Sequence, residues 1–160
     1  MMNILVTLDR NYLPPLRVML GSLLLNDPGE TFDICAVGDG LLPEDWAALD
    51  ALCRGRLHPV EVPADLFADA PVARYWTRAM YYRLLAAELL PRNLDRVLYL
   101  DPDILVINSV RALYDTELAG NLMAAATHTG LLAGITDPVN RLRLENYEAE
   151  AYYNSGVLLM

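Results

Sequence analysis

The chain has 160 residues, 54% of them hydrophobic, with a formal net charge of −9. That length predicts a single domain over 1–160, and so much apolar sequence excludes a disordered chain. All twelve basic residues are arginines and they form no stripe, which excludes the backbone of a nucleic acid as a partner.

The first stretch, "MNILVTLD" (2–9), reads as a buried strand ending in an acid. It carries no basic n-region and no small-residue cleavage site, so it is not a secretory signal. "NYLPPLRVMLGSLLLND" reads as a helix, with Asn11 as its cap, Pro14 and Pro15 in its first turn, and Leu16, Leu20, Leu23 and Leu24 at helical spacing. "TFDICAVGD" (31–39) is a second strand. "LPEDWAALDALCRG" is a helix that opens on Pro43 with acids in its first turn and closes at Gly55. "RLHPVEVP" is a third, shorter strand. This alternation predicts an α/β fold with a mostly parallel sheet and helices on both faces.

Residues 63–76 read as an irregular loop. "TRAMYYRLLAAELLP" (77–91) reads as a strong helix with Thr77 as a cap and Pro91 as its stop. "DRVLYLD" is a fourth strand, "ILVI" (104–107) a fifth short extended piece, and "SVRALYDTEL" a helical turn or two. "NLMAAATH" (121–128) is a further strand, "DPVNRLRLENYEAEA" (137–151) a short helix, and "YYNSGVLLM" (152–160) a final extended run. Stopping inside an apolar run leads us to expect the N-terminal portion of a longer protein. No apolar run reaches the roughly 18 residues of a membrane span, so a cytoplasmic location is expected. The two cysteines, Cys35 and Cys53, form no metal-binding or redox spacing and read as buried structural thiols.

The chemistry concentrates in "RVLYLDPDILVINSV" (96–110), where two acids interrupt an apolar sequence. Asp101 and Asp103 stand at i and i+2, which sets both side chains on one side of extended or turn backbone. Pro102 fixes its own φ and keeps Asp101 out of helix. Two carboxylates held so close repel, and a hard divalent ion such as Mn2+ or Mg2+ compensates both. The plainer alternative is a turn, for which Asp and Pro are common residues. Asp9 and Asp101 both close strands, and ligands of open α/β sheets bind beyond such ends.

Taken together, "NILVTLDRNYLPPLRVMLGSL", "YYRLLAAELLP", "RVLYLDPDILVINSVRALYDTEL" and "YYNSGVLLM" resemble the retaining glycosyltransferases of family 8, in family order and over most of the chain. The resemblance implies a GT-A, Rossmann-like fold and a hexosyltransferase that uses a UDP-sugar, UDP-glucose or UDP-galactose, as in lipopolysaccharide biosynthesis. It implies that Asp101 and Asp103 hold Mn2+ against the diphosphate, and that Thr7, Asp9, Asn11 and Tyr12 line the uridine pocket. Physical chemistry agrees, since a carboxylate can accept the uracil N–H and a tyrosine ring can stack on the base. Arg74, Asn154 and His128 are implied as donor-sugar contacts, with Gly156 allowing close backbone approach. Taken without the family, Tyr12 is a helix-start aromatic, Arg74 a solvated arginine and His128 a strand-end histidine. The family often has an acid where His128 stands. Its third metal ligand, a histidine, lies beyond residue 160 and matches neither His58 nor His128. The acceptor is expected to be a saccharide or lipid-linked saccharide, with peripheral membrane contact through a C-terminal region outside this chain. Retention of anomeric configuration is read as same-face attack. Two further readings stay open: a non-catalytic nucleotide-sugar-binding fragment, and a haloacid-dehalogenase-like phosphatase with Asp101 as nucleophile.

Overall fold

A computed structural model describes residues 1–60, 62–63, 66–70, 77–127 and 153–160. The first apolar run forms β1 (Met2–Asp9), and β2 (Phe32–Asp39) pairs with it in parallel along its whole length, Met2 with Phe32 through Asp9 with Asp39. β3 (Leu57–Val60) adds in parallel to β2, and β4 (Leu98–Leu100) adds in parallel to the other side of β1. β6 (Tyr153–Leu159) runs antiparallel to β4, and β5 (Ala124–Thr127) pairs antiparallel with β6 at the edge. The order is β3-β2-β1-β4-β6-β5. The sheet is therefore parallel through its first four strands and mixed beyond them, as the α/β reading of a mostly parallel sheet requires.

Side chains alternate between the two faces, and each face has its own apolar layer. Met2, Ile4, Val6 and Leu8 of β1 join Phe32, Ile34 and Ala36 of β2 and Leu98 and Leu100 of β4 on one face. Helix α1 (Leu13–Asn26) covers them with Leu16, Met19, Leu20 and Leu23, and α2 (Pro43–Leu52) with Leu49. The opposite face carries Leu5, Cys35, Val37 and Tyr99, under Ala79, Tyr82, Ala86 and Leu90. Cys35 and Cys53 are free and buried, one in each layer. Burial pushes both thiols up, Cys53 to about 11, so neither is a thiolate at neutral pH. Gly55 takes φ 74° just past α2 and donates its N–H to the carbonyl of Asp50, the helix stop expected of it.

Local readings are corrected in four places. Asn11 does not cap α1: Asp9 accepts the Asn11 N–H at 2.8 Å and starts a 3-10 turn (Arg10–Tyr12), after which α1 begins at Leu13 with Pro14 in its first turn. The third strand is shorter than expected, ending at Val60. The segment read as one helix over 77–91 is a 3-10 helix (Arg78–Leu85) followed by a single α-helical turn, α3 (Ala86–Leu89), and the Thr77 side chain makes no capping bond. The run 104–107 is not a strand. Its partners are side chains of α1: Ser22 Oγ accepts the Val106 N–H at 3.0 Å and Asn26 Nδ2 donates to the Val106 carbonyl at 2.9 Å; just beyond the run, buried Asp27 at the C-terminal cap of α1 accepts the Val110 N–H at 2.9 Å. Val106 and Val110 are buried on α1 while Leu105 and Ile107 face out, and α4 (Arg111–Tyr114) follows. The helix expected over 137–151 lies outside the described residues, as do Arg74 and His128. Among the described residues no helix is long and apolar enough to cross a membrane.

Candidate active site

Because β1 and β4 are parallel neighbours, with Leu5 level with Tyr99, their carboxyl ends emerge together. Thr7 and Asp9 of β1 come to the same edge as Asp101 and Asp103, which follow β4. These four line one cleft of about 230 Å3 together with Tyr12, Pro102, Ser155 of β6, and Thr77, Ala79, Met80 and Arg83 from the 3-10 segment. Asn11 and Asn154 sit beside the cleft without lining it. The Asn11 N–H is held by Asp9, and Asn154 Oδ1 accepts the Gly156 N–H at 2.8 Å.

The two acids of the DxD pair differ in setting. Asp101 is fixed from several sides. Its backbone N–H donates to the Gly156 carbonyl at 2.7 Å, extending the β4–β6 pairing by one residue. Its Oδ1 accepts the Tyr99 hydroxyl at 2.5 Å and lies 3.0 Å from Arg83 Nη1. Its Oδ2 lies against Gly156, where a Cβ would stand only 2.6 Å away. Asp103 is exposed and makes no hydrogen bond or ion pair among the described residues.

Arg83 is the functional candidate that sequence reasoning passed over. Its side chain is only 11% exposed. Nε donates to the Met80 carbonyl at 2.8 Å, Nη1 to the Ser155 carbonyl at 2.6 Å, and the guanidinium lies 4.5 Å from the centre of the Tyr99 ring. Such a cation–π contact favours a desolvated guanidinium. Tyr99 itself is fully buried. Burial pushes its phenol well above the usual tyrosine range, against the lowering influence of Arg83, so it stays protonated and donates. In the sequence Arg83 is one arginine in "YYRLL"; only the partner acid, eighteen positions on, marks it.

Three carboxylates and one guanidinium line the cleft, so it carries surplus negative charge. Two oxygen donors on a proline-stiffened turn, one of them without a partner among the described residues, fit a hard divalent ion. Among the described residues no third His, Cys, Asp or Glu groups with them.

The parallel core, the antiparallel strand inserted beside β4, and the acids at the carboxyl edge define a GT-A fold. The profile of glycosyl transferase family 8 matches residues 3–160, and the chain belongs to that family. The lipopolysaccharide 1,3-galactosyltransferase of Salmonella typhimurium (strain LT2) is 29% identical over 161 residues, 99% of this chain and 48% of the relative. The lipopolysaccharide 1,2-glucosyltransferase of Escherichia coli K12 is 28% identical over 162 residues, 99% of this chain and 47% of that one. Among solved structures, galactosyltransferase LgtC in complex with donor and acceptor sugar analogs superposes with a TM-score of 0.87 at 29% identity, covering 99% of this chain and 57% of the other. The chain spans about half the length of the curated relatives it matches. Membership of a transferase family sets aside the phosphatase alternative.

Proposed function

We propose that the cleft is the donor site of a retaining hexosyltransferase that takes UDP-glucose or UDP-galactose and serves a saccharide or lipid-linked saccharide acceptor in the cytoplasm. The observation that carries this reading is the convergence of Asp101 and Asp103 with Asp9, Thr7 and Tyr12 on one strand-end cleft. Tyr12 offers a ring face for the base, and the Asp9 oxygen not engaged by Asn11 accepts the uracil N–H. Asp101 and Asp103 are the residues that would hold Mn2+ or Mg2+, and the bound ion supplies positive charge to the departing diphosphate. Arg83 adds a fixed positive charge on the same side, already oriented by Met80 and Ser155, so it needs little reorganisation when charge develops. The family relationship favours same-face attack by the acceptor hydroxyl as the route to retention.

Calorimetric titration of UDP, with and without Mn2+, tests the reading. The parent chain should bind UDP more tightly with the cation. Asp101→Asn and Asp103→Asn should lose that gain, with Asp103→Asn keeping its melting temperature because its carboxylate has no partner among the described residues to leave behind. UDP affinity indifferent to Mn2+ in the parent would refute the proposal.

A further inference from the structure

A buried tyrosine in the middle of a strand has no need to spend its hydroxyl on a carboxylate of a ligand-binding edge, yet Tyr99 does so. The phenol has one proton, and it is committed to Asp101 Oδ1 at 2.5 Å. The Thr7 hydroxyl, 3.2 Å from the same phenol oxygen, must then be the donor toward Tyr99. The bonds therefore run one way, from Thr7 to Tyr99 to Asp101, and the Arg83 guanidinium faces the same Oδ1 as an ion pair at 3.0 Å. Oδ1 is thereby engaged by the phenol proton and by the arginine charge. Oδ2 takes no hydrogen bond among the described residues and is the oxygen left to present.

From this we infer that Tyr99 is a positioning residue that restricts Asp101 to one-oxygen ligation and so sets which divalent cation the donor site accepts. The inference rests on the donor-site reading above. Ca2+ takes six to eight oxygens and uses carboxylates in bidentate fashion, whereas Mg2+ and ions of similar size want near-octahedral, one-oxygen contacts. A carboxylate with one oxygen withheld therefore favours Mn2+ or Mg2+ and penalises Ca2+. Groups that orient a ligand in this way change metal affinity by about 10–100-fold when removed.

The test is calorimetric titration of UDP into the 160-residue chain with no cation, Mn2+ or Ca2+. Tyr99→Phe keeps the ring under Arg83 and removes only the hydroxyl. UDP affinity without cation should be unchanged, Mn2+-supported affinity should fall about tenfold, and Ca2+-supported affinity should hold or rise, so that the Mn2+-to-Ca2+ ratio collapses. A purely structural role lowers the melting temperature and weakens both cations alike, leaving the ratio intact; that result overturns the inference. Should Tyr99→Phe fail to fold, Thr7→Val removes the donor behind the phenol, and the same ratio must fall to a smaller degree or the inference is lost. Asp103→Asn separates the two claims. Cation dependence abolished there, with an intact ratio in Tyr99→Phe, removes the role of Tyr99 alone, while a parent chain with no cation response removes both.

Discussion

Adding a single methyl group at Gly156 probes the site's construction directly. The Cβ of Gly156→Ala would stand 2.6 Å from Asp101 Oδ2, 3.2 Å from Asn154 Oδ1 and 3.3 Å from Asp101 Cγ. Contact becomes ordinary at 3.4 Å, so the carboxylate must retreat by about 0.8 Å. A shift of that size cannot leave undisturbed the 2.5 Å hydrogen bond that the same carboxylate accepts from Tyr99. Asp101 cannot yield cheaply, because its backbone is pinned to Gly156 and its other oxygen to the Tyr99 hydroxyl and the Arg83 charge. Overpacking of this kind costs about 1–3 kcal/mol. For a domain of this size about 2 kcal/mol lowers the melting temperature by roughly 4–8 °C, and Mn2+-supported UDP binding should weaken at least tenfold, about 1.4 kcal/mol. Gly21→Ala is the matched control: it lies within α1 and nothing approaches its Cβ within 4 Å, so the same methyl group should stabilise by about 0.5–1 kcal/mol. Thermal denaturation and UDP titration on both variants decide the matter. A Gly156→Ala protein that melts and binds like the parent refutes the packing of Asp101 against β6.

Two further expectations concern the frame around the site. Leu20 is fully buried between α1 and the sheet, so Leu20→Ala should cost roughly 3 kcal/mol, seen as a lower midpoint in urea, without altering the UDP affinity of the folded fraction. Glu30 is hydrogen-bonded by Arg111, which holds its carboxyl below the usual glutamate range. A depressed acid contributes stability that is present above the unfolded value, about 4.3, and is lost as pH falls through the folded one. The melting-temperature gap between the parent and Glu30→Gln should therefore be open at neutral pH and close on acidification; a gap that widens in acid contradicts the pairing.

The parallel core was legible because β1, β2 and β4 are apolar runs that stop at an acid, and because helical spacing in "LPPLRVMLGSLLLN" requires one wet and one dry side. The strand ends brought Asp9, Asp101 and Asp103 together as their positions implied. Other features depend on partners far away in sequence. "ILVI" has the composition of a strand, but Ser22 and Asn26 supply its hydrogen bonds, and no local pattern announces a helix acting as the partner of an extended chain. "RAMYYRLL" has a helical period that does not distinguish a 3-10 from an α-helix, and the tighter winding carries Arg83 to Asp101 and Ser155. The direction of β6 was likewise invisible, since an apolar run does not say which way it pairs.

The placement of β6 bears on how the protein is made. Residues 2–60 can assemble three parallel strands and their two helices from contacts at moderate separation. Leu98 pairs with Leu159, and the Asp101 N–H with the Gly156 carbonyl, across more than fifty intervening residues. Closing so long a loop is slow relative to forming near-neighbour contacts. A nascent chain therefore carries Asp101 before the strand that anchors its backbone has been made.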